Sequence, residues 1–276
     1  MNTSLRLDRL SALLEGLSPR VLVQSRMEEE GALSFPAETK AALWLQLVLG
    51  GSVRLLPAGE PPVVVDSASM IVCSAHTPHR LRRPTGAAGK AHEVISAKVH
   101  LDGPVASMLM AEFRRPMVVS LAAADDSLGL VIQLVRSEIG HPRCGQPLLL
   151  DRAGDILFIG LLRHLVAHSH SPSGLFQGLA DPRIARVLVA LHAAPQSDWR
   201  LESMAEVAAM SRTAFANGFR QAMTVTPGKY LSRLRLAIAQ RAVELGDGLK
   251  QAARRTGYRN VSSLSRALSR DRNARS

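Results

Sequence analysis

A capped helix with one arrangement of apolar and polar residues occurs twice in the last third of the chain, 49 residues apart. Ser211 opens SRTAFANGFRQAM (211–223) and is suited to cap its first turn. Phe215 and Phe219, four apart, stack on one side, while Thr213, Ala216, Asn217 and Arg220 fall on the flanks and the opposite side. In the second occurrence Asn260 takes the cap position and Leu264 and Leu268 replace the two phenylalanines. Ser262, Ser265, Arg266 and Ser269 then fall on the outer positions. A short helix precedes each copy. LESMAEVAAM (201–210) places Leu201, Met204, Ala205 and Ala208 on one face, and LKQAARRTGY (249–258) carries Gly257 where a turn is needed. Each pair reads as a helix-turn-helix. Thr226-Pro227, a cap followed by proline at the first helical position, opens a helix through 228–245 between them. At ~1.5 Å per residue this is a rod of ~27 Å, near the ~34 Å repeat of successive major grooves on one side of DNA.

Charge follows the same division. Residues 1–180 carry 17 Lys and Arg against 16 Asp and Glu, whereas residues 181–276 carry 17 against 7. A neutral part joined to a basic one implies that only the second meets a polyanion; a solvated basic surface is the alternative that charge alone leaves open.

The first two thirds read differently. A short helix within residues 1–20 carries Leu10, Leu13, Leu14 and Leu17. VLVQ (21–24), LWLQLVL (43–49), SVRLLP (52–57), PPVVVD (61–66), SMIVC (69–73) and EVISAKVHL (93–101) have the length and composition of strands. Gly50-Gly51 reads as a hairpin signal. Together they predict a β-sandwich or small barrel. Helices are expected at 104–114, 127–139 and 148–167, the last interrupted by Gly154 and Gly160. Its broad apolar surface needs either the domain's own sheet or a second copy of the chain. HSHSPSG (168–174) is the expected boundary, giving a domain at 1–172 and another at 181–276. The fold class is α+β in two domains.

Two cysteines, Cys73 and Cys144, supply neither a disulfide framework nor a multi-cysteine metal site. No apolar run reaches the ~18 residues that span a bilayer, and MNTSLRLDRL lacks the features of a secretion signal. A cytoplasmic location without membrane contact is expected.

WRLESMA (199–205), MSRTAFANGFR (210–220), PGKYLSRLRL (227–236) and GYRNVSSLSRAL (257–268) resemble the DNA-binding domain of AraC/XylS-family transcriptional regulators. DPRIARVLVALH (181–192) is similar to the entry helix of the branch with an N-terminal cupin, and IVCSAHTPHRL (71–81) to that cupin's second motif. The resemblance implies a cupin-like sensor and dimerisation domain ahead of two helix-turn-helix units that bind double-stranded DNA. It implies a homodimer, an unknown small-molecule effector, and RNA polymerase as a further partner. Carried over by position, the first recognition helix presents Arg212, Thr213, Ala216, Asn217 and Arg220, and the second Val261, Ser262, Ser265 and Arg266. Arg266 is the candidate for bidentate contact with guanine; Arg212, Arg220, Arg259 and Arg270 are candidates for phosphates.

The sequence departs from the family at Arg200, where a Ser or Thr cap is usual, at Ala209 in place of the turn glycine, and at Leu264 and Leu268 in place of phenylalanine. SRDRNARS does not match the family's closing segment, so the second unit is expected to be short of core.

In the first domain Gln46, Cys73, His76 and His79 are the candidate effector contacts, with His92 and His100 further on. Cys73 reads as a buried inert thiol, a redox role being the alternative. The strand LWLQLVLGG offers Gln46 but no histidine, so no metal, cofactor or catalytic residue is expected. A cupin-type metalloenzyme, or a degenerate member acting through a protein partner, are the competing readings.

Overall fold

The computed structural model describes residues 9–25, 32–83, 93–123, 126–168 and 174–275. Two compact units emerge, Pro19–Asp102 with Leu109–His164, and Leu165–Ser276 with Met1–Ser18 and Gly103–Met108.

The first unit is a sandwich of two antiparallel sheets. Strands β1 (Pro19–Ser25), β2 (Ala32–Phe35), β3 (Ala42–Gly50), β4 (Val53–Pro57), β5 (Val63–Val65), β6 (Ser69–Ser74), β7 (His79–Arg82), β8 (Glu93–Leu101) and β9 (Met117–Ser120) are arranged as β1-β8-β3-β6-β9 and β2-β7-β4-β5. All six expected strands form. The three that were not expected, β2, β7 and β9, have four residues each.

The hairpin expected at Gly50-Gly51 does not form, because β3 pairs with β6 and β8 while β4 pairs with β5 and β7. Gly51, at φ 75°, turns the chain from one sheet into the other.

β3 is apolar at nearly every position because both its faces are covered. Ala42, Trp44 and Val48 pack against Phe35, Leu55 and Leu81 of the second sheet. Leu43, Leu45 and Leu47, also buried, face the other way. Helix α1 (Arg9–Leu17) belongs to the other unit. After β8 come α2 (Ala106–Met110), a 3₁₀ turn at Ala111–Phe113, α3 (Asp126–Gly140) and α4 (Gln146–Ala167). The helix expected at 104–114 is therefore two short pieces.

α4 is unbroken. Gly154 interrupts nothing; it lets the helix approach β1, where an added Cβ would lie 2.6 Å from Val21 Cγ1. At Gly160 an added Cβ would meet Leu128 Cδ1 at 2.9 Å. Asp155 Oδ1 accepts from the Val21 N–H at 3.3 Å and fastens the same contact.

The second unit is helical. It contains α5 (Leu175–Ala180), α6 (Pro182–Ala193), α7 (Leu201–Val207), α8 (Arg212–Met223), α9 (Pro227–Glu244), α10 (Leu249–Thr256) and α11 (Val261–Arg275). Helix α1, expected as part of the sensor, packs against α6. Arg9 Nη1 donates to the Leu179 carbonyl at 2.9 Å, occupying a carbonyl at the end of α5. Gly103 N–H donates to Leu17 O at 2.8 Å and Val105 N–H to Gly16 O at 3.1 Å, which ties the 103–108 segment to α1. His192 of α6 and Tyr230 of α9 share a partly buried hydrogen bond of 2.8 Å.

Candidate functional site

The two helix-turn-helix units form as their capping residues dictate. Ser211 Oγ accepts from Ala214 N–H at 3.3 Å, Thr226 Oγ1 from Lys229 N–H at 3.3 Å, and Asn260 Oδ1 from Ser263 N–H at 2.8 Å. At Arg200, which has no acceptor to offer, the link runs the other way: Ser203 Oγ accepts from the Arg200 N–H at 3.0 Å. Phe215, Phe219 and Tyr230 meet edge to face at 5.6 and 5.8 Å, which sets α8 against α9.

The second unit has a leaner core of Ala239, Ala242, Ala252, Ala253 and Leu264, with Leu236, Tyr258 and Leu268 packed on it. Leu264 is fully buried in the position of Phe215.

The turns differ. In the first, Ala209 takes the left-handed conformation at φ 54°, two residues before its cap. In the second, Gly257 at φ 75° lies three residues before its cap. A Cβ on Gly257 would also stand 2.7 Å from the Gln196 carbonyl oxygen. Arg235 of α9 reaches the same loop, donating to Pro195 O at 2.7 Å and Ser197 O at 2.8 Å. The entry loop of the first unit, the connecting helix and the turn of the second thus meet around a groove of about 390 Å³.

The outer surfaces of α8 and α11 carry the expected residues. Arg212, Thr213, Asn217 and Arg220 are exposed and Ala216 is half-buried; Arg259, Val261, Ser262, Ser265 and Arg266 are exposed. Arg212 pairs with Glu202 at 2.8 Å, which holds that carboxyl below its usual range. Arg266 Nε makes a long bond of 3.4 Å to the Ser262 carbonyl of its own helix. Neither contact buries the guanidinium.

The inside of the sandwich gathers Gln46, Cys73 and His79 and leaves His76 out. His76 is exposed, its ring nitrogen 2.9 Å from the Glu38 carbonyl. Gln46 Nε2 and His79 Nε2 lie 2.8 Å apart, with His79 Nδ1 3.3 Å from Thr77 O and its ring stacked on Phe35 at 4.7 Å. Burial holds the His79 pKa below the usual imidazole range, the Thr77 bond opposing it. Burial pushes the Cys73 thiol up to about 12, so the thiolate that oxidation needs is scarce. Among the described residues no group of three or more His, Cys, Asp or Glu could hold a metal ion. His92 lies outside the described residues. Composition gave no hint of Trp44 and Ser96, which share the inner face with Gln46; only the register of β3 against β8 brings them together.

Comparison with known proteins gives a match for each part of the chain. Residues 8–167 match a family described as Cupin, and residues 204–271 one described as Helix-turn-helix domain. The regulator AlkR of Acinetobacter baylyi is 27% identical over 241 residues, covering 82% of this chain and 78% of that protein. A putative AraC-like transcription regulator of Streptomyces lividans is 31% identical over 162 residues, 57% of this chain and 53% of the other. The chain belongs to the AraC/XylS family of transcriptional regulators. Among solved structures, the DNA-binding domain of AdpA in complex with a target DNA aligns at 31% identity over 33% of this chain and 81% of that one, with a TM-score of 0.30. As an AraC-type protein the chain pairs a cupin-like domain with a DNA-binding domain and regulates transcription. Among the described residues no helix is long and apolar enough to cross a membrane.

Proposed function

We propose that this AraC-type regulator reads two successive major grooves with α8 and α11 and is controlled by a small molecule bound inside its sandwich. The carrying observation is the pair of capped helices, each with a buried apolar side and an exposed polar one, at the two ends of the 18-residue helix α9. Arg266 reads a base and Arg212, Arg220 and Arg259 hold phosphates, with Thr213, Ala216, Asn217, Val261, Ser262 and Ser265 filling the surface between. Placement of a guanidinium against guanine O6 and N7 discriminates by ~1–3 kcal/mol, whereas a phosphate contact is blind to sequence.

Selection from random duplexes, followed by gel shifts at two salt concentrations, tests this. Arg266→Ala should relax preference at one base pair. Arg220→Ala should weaken all sequences alike and reduce the salt slope by ~1. Unchanged selectivity on losing Arg266 would count against the second helix as a reader.

Gln46, Cys73 and His79 supply the effector contacts; His76 takes no part in the interior. A homodimer is supported by an apolar stripe. Leu130 and Leu134 on α3, and Leu148 and Ile156 on α4, are 66%, 41%, 63% and 51% exposed. Most of the apolar surface of α4 is otherwise buried. Leu130→Glu with Ile156→Glu should yield a monomer by sedimentation at micromolar concentration. The same reading places the protein in the cytoplasm, with its DNA, and gives it no catalytic role.

A further inference from the structure

On the inner face of the β1-β8-β3-β6-β9 sheet, three buried polar atoms have no partner: Trp44 Nε1, Gln46 Oε1 and Ser96 Oγ. Trp44 and Gln46 are two apart on β3 and so share a face, and Ser96 lies directly opposite Gln46 on β8. The residues are 4%, 0% and 0% exposed. Buried polar groups in native proteins are nearly always hydrogen-bonded, and each exception calls for an explanation. Three exceptions on one patch of sheet mark a place that a polar group fills.

The surroundings fix the chemistry of that group. His79 donates through Nδ1 to Thr77 O, so Nε2 is an acceptor and the Gln46 amide turns its NH₂ toward it. The Gln46 carbonyl is left as an acceptor. Trp44 offers only a donor, and the Ser96 hydroxyl serves as either. A hydroxyl answers all three, accepting from the indole while donating to the amide. No uncompensated charge faces the patch. Lys98 lies 5.2 Å from the centre of the Trp44 ring, but it is paired with Glu38. The remaining wall is apolar, formed by Phe35, Val48, Ile71 and Cys73.

We propose that the sandwich interior takes an uncharged, largely apolar molecule, anchored through one hydroxyl group by Trp44, Gln46 and Ser96. The proposal rests on the effector reading above and adds to it two residues and a ligand class. A carboxylate is excluded by the same geometry, since a buried anion needs a cation that this patch does not supply.

Phenol, benzoate and toluene serve as probes of one size with a hydroxyl, a charge and neither. The readout is the pair of indole N–H signals of the full-length protein, from Trp44 and Trp199, assigned with Trp44→Phe. At pH 7 phenol should shift the Trp44 signal saturably and leave Trp199 unmoved, toluene should act more weakly, and benzoate should have no effect. Ser96→Ala and Gln46→Leu should each weaken phenol about fivefold, the worth of one neutral hydrogen bond. Should Gln46→Leu fail to fold, Ser96→Ala, the smaller deletion, decides.

Benzoate or toluene moving Trp44 as tightly as phenol would overturn the hydroxyl class while leaving the interior a binding site. Silence of Trp44 toward all three would overturn both, and a long-lived water contact at its Nε1 would then identify the occupant as a structural water only.

Discussion

Replacing Ala209 by glycine should stabilise the DNA-binding unit, a gain that depends on one backbone angle. Ala209 stands at φ 54° in the turn between α7 and α8. An L-residue with a Cβ pays ~1–2 kcal/mol for that conformation. Glycine does not, but it brings ~0.5–1 kcal/mol of extra unfolded-state entropy. The difference is a net gain of about 0.5–1 kcal/mol.

No contact offsets it. The Ala209 side chain is exposed, and the hydrogen bonds that close the turn, Ala209 N–H to Glu206 O at 2.9 Å and Met210 N–H to Ala205 O at 2.9 Å, are made by backbone. Urea unfolding of the full chain, followed by the fluorescence of Trp199 in a Trp44→Phe background, isolates the relevant unit. With a slope of ~2 kcal/mol per molar urea, the midpoint should rise by ~0.3–0.5 M. Ala208→Gly is the control. Ala208 is fully buried at φ −74°, so glycine there should lower the midpoint. A midpoint that falls or stays still for Ala209→Gly would refute the argument.

Acid should loosen the helical unit through His192, whose pKa burial lowers from 6.5 to about 4. The unfolded chain binds that proton more readily. Stability is therefore complete above pH 6.5 and falls toward pH 4 by ~3 kcal/mol, and His192→Gln should flatten the slope of midpoint against pH. Gly154→Ala should destabilise the sandwich unit by ~1–2 kcal/mol in thermal melts despite alanine's better helix propensity. The added methyl is driven into Val21 and Val23, and overpacking of that kind costs ~1–3 kcal/mol.

The fold of this chain is most legible in its sequence where structure is local. Helix caps are written in one to four residues, so Ser211, Thr226 and Asn260 could be recognised without knowledge of the fold, and the strain at Ala209 followed from one expected turn. Strands rich in Val, Ile and Leu were equally visible, down to the three residues of β5. What escaped depended on partners distant in sequence. Gly50-Gly51 has the composition of a hairpin, yet whether the flanking strands pair is decided by β6, β7 and β8. Gly154 and Gly160 read as breaks because their real use, closeness to Val21 and Leu128, lies outside any local window. The same limit applied inside the sandwich. His76 and His79 are three residues apart, but one sits on an exposed turn and the other points inward from β7. α1 carries the amphipathic spacing of any short helix, and nothing in it announces that it packs on α6.

Arg235 and Gly257 both close on the loop at 195–198, which joins the first helix-turn-helix to α9 and to the turn of the second. On the proposed reading of DNA, the unit is a caliper held at one opening. An operator lengthened by a single base pair between its two contact sites, a displacement of about 3.4 Å with a matching rotation about the duplex axis, cannot be followed by adjusting a hinge. One jaw should then let go.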